Sequence, residues 1–130
     1  MDNKNIKQII IMRKDLKMRR GKEIAQAAHA SMGIFFQMME KTAPTVYEID
    51  MPEDMLAWKE GPFTKICVSV QSEEELVEII NKAKELGYPA ILITDNGTTE
   101  FNGVPTITCG AIGPVSNDKL KGLTDHLPLY

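Results

Sequence analysis

Lys22, Gln26 and His29 follow one another at spacings of four and three residues. On a helix advancing about 100° per residue, they and Gly33 fall within roughly 60° of one another. An ammonium, an amide and an imidazole on one face make a surface that can hydrogen-bond a ligand. Ile24, Ala28, Ser31, Phe35 and Met38 fall on the other side, which is therefore the expected core face. A further residue able to do chemistry, Asp95, ends the apolar run Ala90-Ile91-Leu92-Ile93-Thr94. In open α/β sheets ligands gather beyond the carboxyl ends of strands, so an acid there is a candidate working group. The same side chain suits a cap on the turn Asn96-Gly97, and position alone favours neither role.

The approach to the helix breaks a local rule. A first turn carries partial positive charge and ordinarily attracts Asp or Glu, yet Arg19, Arg20 and Lys22 crowd it, at about 0.3–1 kcal/mol per exposed cation. Free N–H groups, Gly21 and several cations together suit a phosphate or carboxylate. The plainer alternative is a solvated basic loop. Residues 13–22 set Arg13, Lys14, Lys17, Arg19, Arg20 and Lys22 against the single Asp15, although the whole chain carries a net charge of −3. Such asymmetry points to a directed anionic contact rather than general coating of nucleic acid.

These residues need elements to hold them. Ile6–Met12 reads as a strand buried on both faces, and residues 21–40 as the amphipathic helix. Across 41–63 the prolines and Gly61 interrupt the pattern, but Pro52-Glu53-Asp54 resembles the first turn of a short helix ending near Gly61. Trp58, the single tryptophan, suits either an anchor to the core or a stacking platform for a base. Lys65–Val70 reads as a second strand, and Ser72-Glu73-Glu74-Glu75 has the capping-box pattern of a helix with Leu76, Ile79, Ile80 and Ala83 inward and Gly87 at its end. Ala90–Asp95 is a third strand. Thr106–Ile112 is a fourth, antiparallel to it because residues 98–105 are too few for a crossover helix. Ser116 is positioned to cap a final helix running to about Leu123. The order βα(α)βαββα implies a four-stranded mixed sheet with helices on both faces, an architecture that fixes no function.

With 130 residues, one domain spanning 1–130 is expected. The start, Met1-Asp2-Asn3-Lys4-Asn5, has no apolar h-region, and no apolar run approaches a membrane span. A cytoplasmic protein without a membrane contact is expected. Cys67 and Cys109 lie inside apolar runs without metal-ligand spacing, so they read as small buried hydrophobes. No motif calls for a metal or cofactor.

Arg13-Lys14-Asp15-Leu16-Lys17-Met18, Gly21-Lys22, Ala25-Gln26 and His29-Ala30 closely resemble the N-terminal signature of type II peptidyl-tRNA hydrolases. Asp95-Asn96-Gly97, Thr99 and Ala111-Ile112-Gly113-Pro114 match that family's later signatures. The resemblance implies a three-layer α/β/α sandwich, often dimeric, that cleaves the ester joining a peptide to the 3′ ribose of tRNA. The family's functional positions fall on Lys22, Gln26, His29, Asp95 and Thr99. Asp95 would orient or deprotonate water, Lys22 would neutralise the oxyanion or the terminal phosphate, and Gln26 and Thr99 would hydrogen-bond the substrate. His29 is an alternative base, or simply part of a closely packed helix. Lys14, Lys17, Arg19 and Arg20 would hold the tRNA backbone. Thr98 stands in the contact set where the family often carries a basic residue. The rival reading is a non-catalytic RNA-binding or regulatory module on the same scaffold, and a third is a hydrolase for another small anionic ester or amide.

Overall fold

The computed structural model describes residues 5–97 and 101–130. Its elements run β1 (Ile6–Arg13), α1 (Arg20–Met38), β2 (Glu40–Ala43), β3 (Val46–Glu48), α2 (Glu53–Glu60), β4 (Lys65–Val70), α3 (Glu73–Glu85), β5 (Ala90–Asp95) and β6 (Thr106–Ser116). Four strands form one sheet in the order β4-β1-β6-β5. β1 pairs in parallel with β4, and β6 pairs antiparallel with both β1 and β5. The α/β class, the mixed four-stranded sheet and the antiparallel last strand are as the sequence predicts.

Alternate residues of β1 feed different cores, which is why that strand is apolar almost throughout. Ile10 and Met12 pack under α1 and α2 with Ala30, Ile34 and Met55. Ile9 and Ile11 pack with α3 through Leu76, Ile79, Ile80 and Ala83, the four residues that its periodicity marks as inward. The Ser72 side chain accepts from Glu75 N–H at 3.1 Å, and Glu75 reaches back to Gln71 N–H at 3.0 Å. Gly87, at φ +81°, closes the helix.

Two segments differ from expectation. Residues 40–48 form an exposed hairpin, β2 with β3, which carries no alternating apolar signal because neither face is buried. After Ser116 the chain makes only a short 3-10 turn, Asn117–Leu120, where a helix to Leu123 was expected. Leu120, Leu123 and Leu127 are buried against the α3 side; burial at spacings of three and four is met here by successive turns instead of a helix.

Trp58 is an anchor. It is 2% exposed, its Nε1–H donates to Thr64 O at 2.7 Å, and its ring stacks on Phe35 with 5.7 Å between centroids. Nothing of its face is left for a nucleotide.

Candidate active site

β5 carries Asp95 to the carboxyl end of the sheet, and the following turn keeps its side chain there. Gly97 takes φ +86° and donates its N–H to Asp95 Oδ2 at 2.9 Å. A Cβ at Gly97 would lie 2.5 Å from the Val104 carbonyl oxygen, so only glycine fits. The other oxygen, Oδ1, accepts from Lys22 Nζ at 2.7 Å. One carboxylate therefore both caps its turn and meets the ammonium. The two side chains keep 9% and 14% of their surface exposed, nearly covered yet not sealed in.

The Lys22 ammonium, bonded directly to Asp95, holds that carboxyl below its ordinary 3.8. Burial opposes the shift, while the Gly97 N–H and the charge of His29 add to it. The pair is thus a salt bridge with the carboxylate ionised. Lys22 reaches it from the first turn of α1, whose N-cap, Arg19, makes no side-chain capping bond. Glu23 is the sole acid in that turn, and its carboxylate accepts the Tyr130 hydroxyl.

The inner face of α1 is shifted round the helix relative to the sequence reading: Phe35 and Met38 pack against the core and Ser31 bonds Gln8, as the core side should, and His29 is exposed, but Gln26 and Gly33 also turn inward. Gln26 is 3% exposed and lies inward with Ala30 and Ile34, and a Cβ on Gly33 would come within 2.8 Å of Ile91 Cδ1. Ile24, assigned to the core, is 63% exposed, and Ala28 is exposed as well. Apolar counting fails here because the sheet beneath offers polar partners. Thr108 Oγ1 donates to Gln26 Oε1 at 2.5 Å, and the fully buried Gln8 is bonded twice to Ser31. A satisfied polar group can face a core.

His29 is exposed, and among the described residues no hydrogen bond ties it to the pair. Lys14, Lys17, Arg19 and Arg20 are all exposed around the α1 N-terminus. Thr98 and Thr99 lie outside the described residues. Among the described residues no three His, Cys, Asp or Glu side chains converge as a metal site requires.

Residues 6–130 match the family model described as peptidyl-tRNA hydrolase PTH2. The chain belongs to that family. It is 40% identical to a peptidyl-tRNA hydrolase of Methanopyrus kandleri, over 95% of this chain and 97% of the relative. It is 39% identical to one of Methanothermobacter thermautotrophicus and 36% to one of Methanocaldococcus jannaschii, each over 95% of this chain and 99% of the relative.

Two residues of this enzyme family member make long-range contacts that the sequence pattern does not signal. Thr108 is one. Ile93 pairs with Cys109 and Thr94 with Ile107, so Thr108 is the extra residue of a β-bulge. Ile107 packs on the α3 side and Cys109 on the α1 side, a switch that strict alternation forbids. The bulge turns Thr108 onto α1, where it meets Gln26. Nothing in Thr106-Ile107-Thr108-Cys109 signals it.

Arg13 is the other. Counted with the basic run, it is instead 9% exposed and withdrawn from it. Its Nη2 and Nε donate to both Asp15 oxygens at 2.7 and 3.2 Å, and its Nη1 donates to Ile107 O at 2.9 Å. Glu73 stands 3.6 Å from the same Nη1. The anion-facing cations are therefore fewer than the sequence count.

Proposed function

We propose that this chain, an enzyme of the peptidyl-tRNA hydrolase family, hydrolyses its ester substrate at the Lys22–Asp95 pair. Water oriented by Asp95 adds to the carbonyl carbon that links the peptide to the 3′ oxygen of the terminal ribose. The Lys22 ammonium faces the oxygen that becomes negative; the proton lost by the added water passes through solvent to the ribose 3′ oxygen as its bond to the carbonyl carbon breaks, freeing the peptide acid and tRNA. Gln26 and Thr99 hydrogen-bond the substrate, and the exposed His29 is the alternative base. The observation that carries this reading is the 2.7 Å ion pair between an uncapped, cation-rich helix start and a strand end. A carboxylate held below its ordinary range is a weak proton acceptor, which favours orienting water over abstracting its proton.

Lys14, Lys17, Arg19 and Arg20 bind the tRNA backbone. A groove of about 1010 Å³ along α3 is unsuited to a polyanion, since Glu73, Glu74, Glu78 and Glu85 line it. Phosphate contacts release counterions, so Lys17→Ala and Arg20→Ala should each reduce the slope of log binding constant against log salt by about 0.7–0.9. Slopes equal to the parent's would remove these residues from the interface.

The reading continues with one domain over residues 1–130, acting in translation in the cytoplasm; among the described residues no helix is long and apolar enough to cross a membrane. It also includes a homodimer. Ile24, Met32 and Phe36 stand 63%, 54% and 59% exposed along α1, and the hairpin adds Val46 and Tyr47. An apolar row of this kind on a helix otherwise packed to the sheet suits a second copy of the chain. Phe36→Glu should convert dimer to monomer in sedimentation analysis; a monomeric parent would refute the assembly.

The assay that tests the function is release of peptide from peptidyl-tRNA with and without competing free tRNA. Turnover that free tRNA inhibits is expected. Salt-sensitive binding without cleavage would instead mark an RNA-binding module, and cleavage that tRNA leaves untouched a hydrolase of another ester.

A further inference from the structure

Arg13 ends β1 on the α3 side of the sheet, yet it grips the strand that carries Thr108 on the α1 side. Its Nη1 holds the carbonyl of Ile107, the residue immediately before the bulge. Its other two nitrogens are fixed on the Asp15 carboxylate, two residues further along the same turn. Thr108 next to that carbonyl is fully buried and donates to Gln26, which is 3% exposed and one helical turn from Lys22. A bulge is the flexible point of a ladder, and its peptide planes decide where the extra side chain points. A planar guanidinium can brace it with one nitrogen while two others hold a carboxylate; a lysine has a single nitrogen for all three contacts and cannot reproduce the fork.

We propose that Arg13, oriented by Asp15, is a positioning residue of the hydrolytic site. It fixes the bulge that aims Thr108, and through Thr108 it sets the amide of Gln26 for the Lys22–Asp95 pair. The inference rests on the hydrolytic reading above. It gives Arg13, withdrawn from the basic run, and Asp15 a role in the turnover step.

The test is steady-state hydrolysis of N-blocked aminoacyl-tRNA by Arg13→Lys, across a salt series, with thermal unfolding as a check on the fold. Misplacing a reacting group by about 1 Å can cost about 100-fold. A fall in kcat of about 10- to 100-fold is expected, with KM within about twofold and the salt slope unchanged. Lys17→Ala should do the reverse, moving the slope and KM. In a Thr108→Val background, Arg13→Lys should cost less than about twofold more, because both changes break one chain of contacts.

Parental kcat in a folded Arg13→Lys protein would overturn the proposal. So would a loss confined to KM with a shallower salt slope, or losses that multiply with Thr108→Val. If Arg13→Lys does not fold, Asp15→Asn, which leaves the Ile107 contact in place, is judged by the same criteria. Large losses from Lys22→Ala and Thr108→Val beside a harmless Arg13→Lys would sink this inference alone; an inactive parent would sink the hydrolytic reading itself.

Discussion

Asp95→Asn is expected to slow turnover of N-blocked aminoacyl-tRNA by about 10²–10⁴-fold, the range typical of a positioned acid/base group. The amide matches the carboxylate in shape, and its oxygen can still accept from Gly97, so the turn should persist. What disappears is the charge that faces Lys22 at 2.7 Å. Lys22→Ala should fall in the same range, with an added structural cost: an unpaired, largely covered carboxylate destabilises by about 3–5 kcal/mol. The double variant should be scarcely slower than either single one, because each change disables one unit. The pH dependence follows from the direction of the Asp95 shift. Its carboxyl lies below the ordinary 3.8, so the ion pair stabilises the fold fully above that value and is lost only as pH falls through the lower, folded one. No acid limb from Asp95 should therefore appear between about pH 5 and 8 in the parent. Near-parental turnover by folded Asp95→Asn and Lys22→Ala would leave the enzyme's reaction centre elsewhere.

The second large effect is expected at a residue without ionisable chemistry. Thr108→Val keeps the shape of a fully buried side chain and removes the hydroxyl that donates to Gln26 Oε1 at 2.5 Å. A buried amide oxygen deprived of its donor costs about 1–3 kcal/mol, and the amide is then free to turn. Loss of one preorganised donor at a developing oxyanion typically costs about 10²–10³ in kcat, so about 100-fold is expected here, with KM little changed. Thr108→Ser restores the hydroxyl and should recover turnover to within about threefold. A valine variant as fast as the serine one would show that Gln26 does not need to be aimed. The thiol of Cys109, beside it, donates to the backbone carbonyl of Gln26 at 3.3 Å, and burial pushes its pKa up to about 12. It packs as a neutral small side chain and takes no part in either prediction.

How much of this was legible in the chain varies with how far each contact reaches. The β4, α3 and β5 segments follow their sequence patterns closely because a short apolar run, period-3.6 burial, a serine cap and a glycine stop are local signals. The inward residues of α3 were readable for the same reason. The exposed hairpin at 40–48 buries nothing and so leaves no such pattern. The face of α1 is only partly readable from hydrophobicity: Phe35 and Met38 pack inward as apolar counting expects, but Gln26 and Lys22 find partners on β6 and β5, and those partners draw part of the polar side inward as well.

The residue types at 22, 26 and 95, the unusual positive charge at the start of α1 and the strand-end position of Asp95 were all set by sequence alone, since each is a matter of identity and local spacing. Tertiary structure decided the rest. It brought positions 73 residues apart to 2.7 Å, drew Arg13 out of the basic patch, and turned Thr108 across the sheet through one extra residue. Those outcomes depend on which strands pair and where their register slips, and hydrogen bonds between distant segments leave no periodic trace in either one.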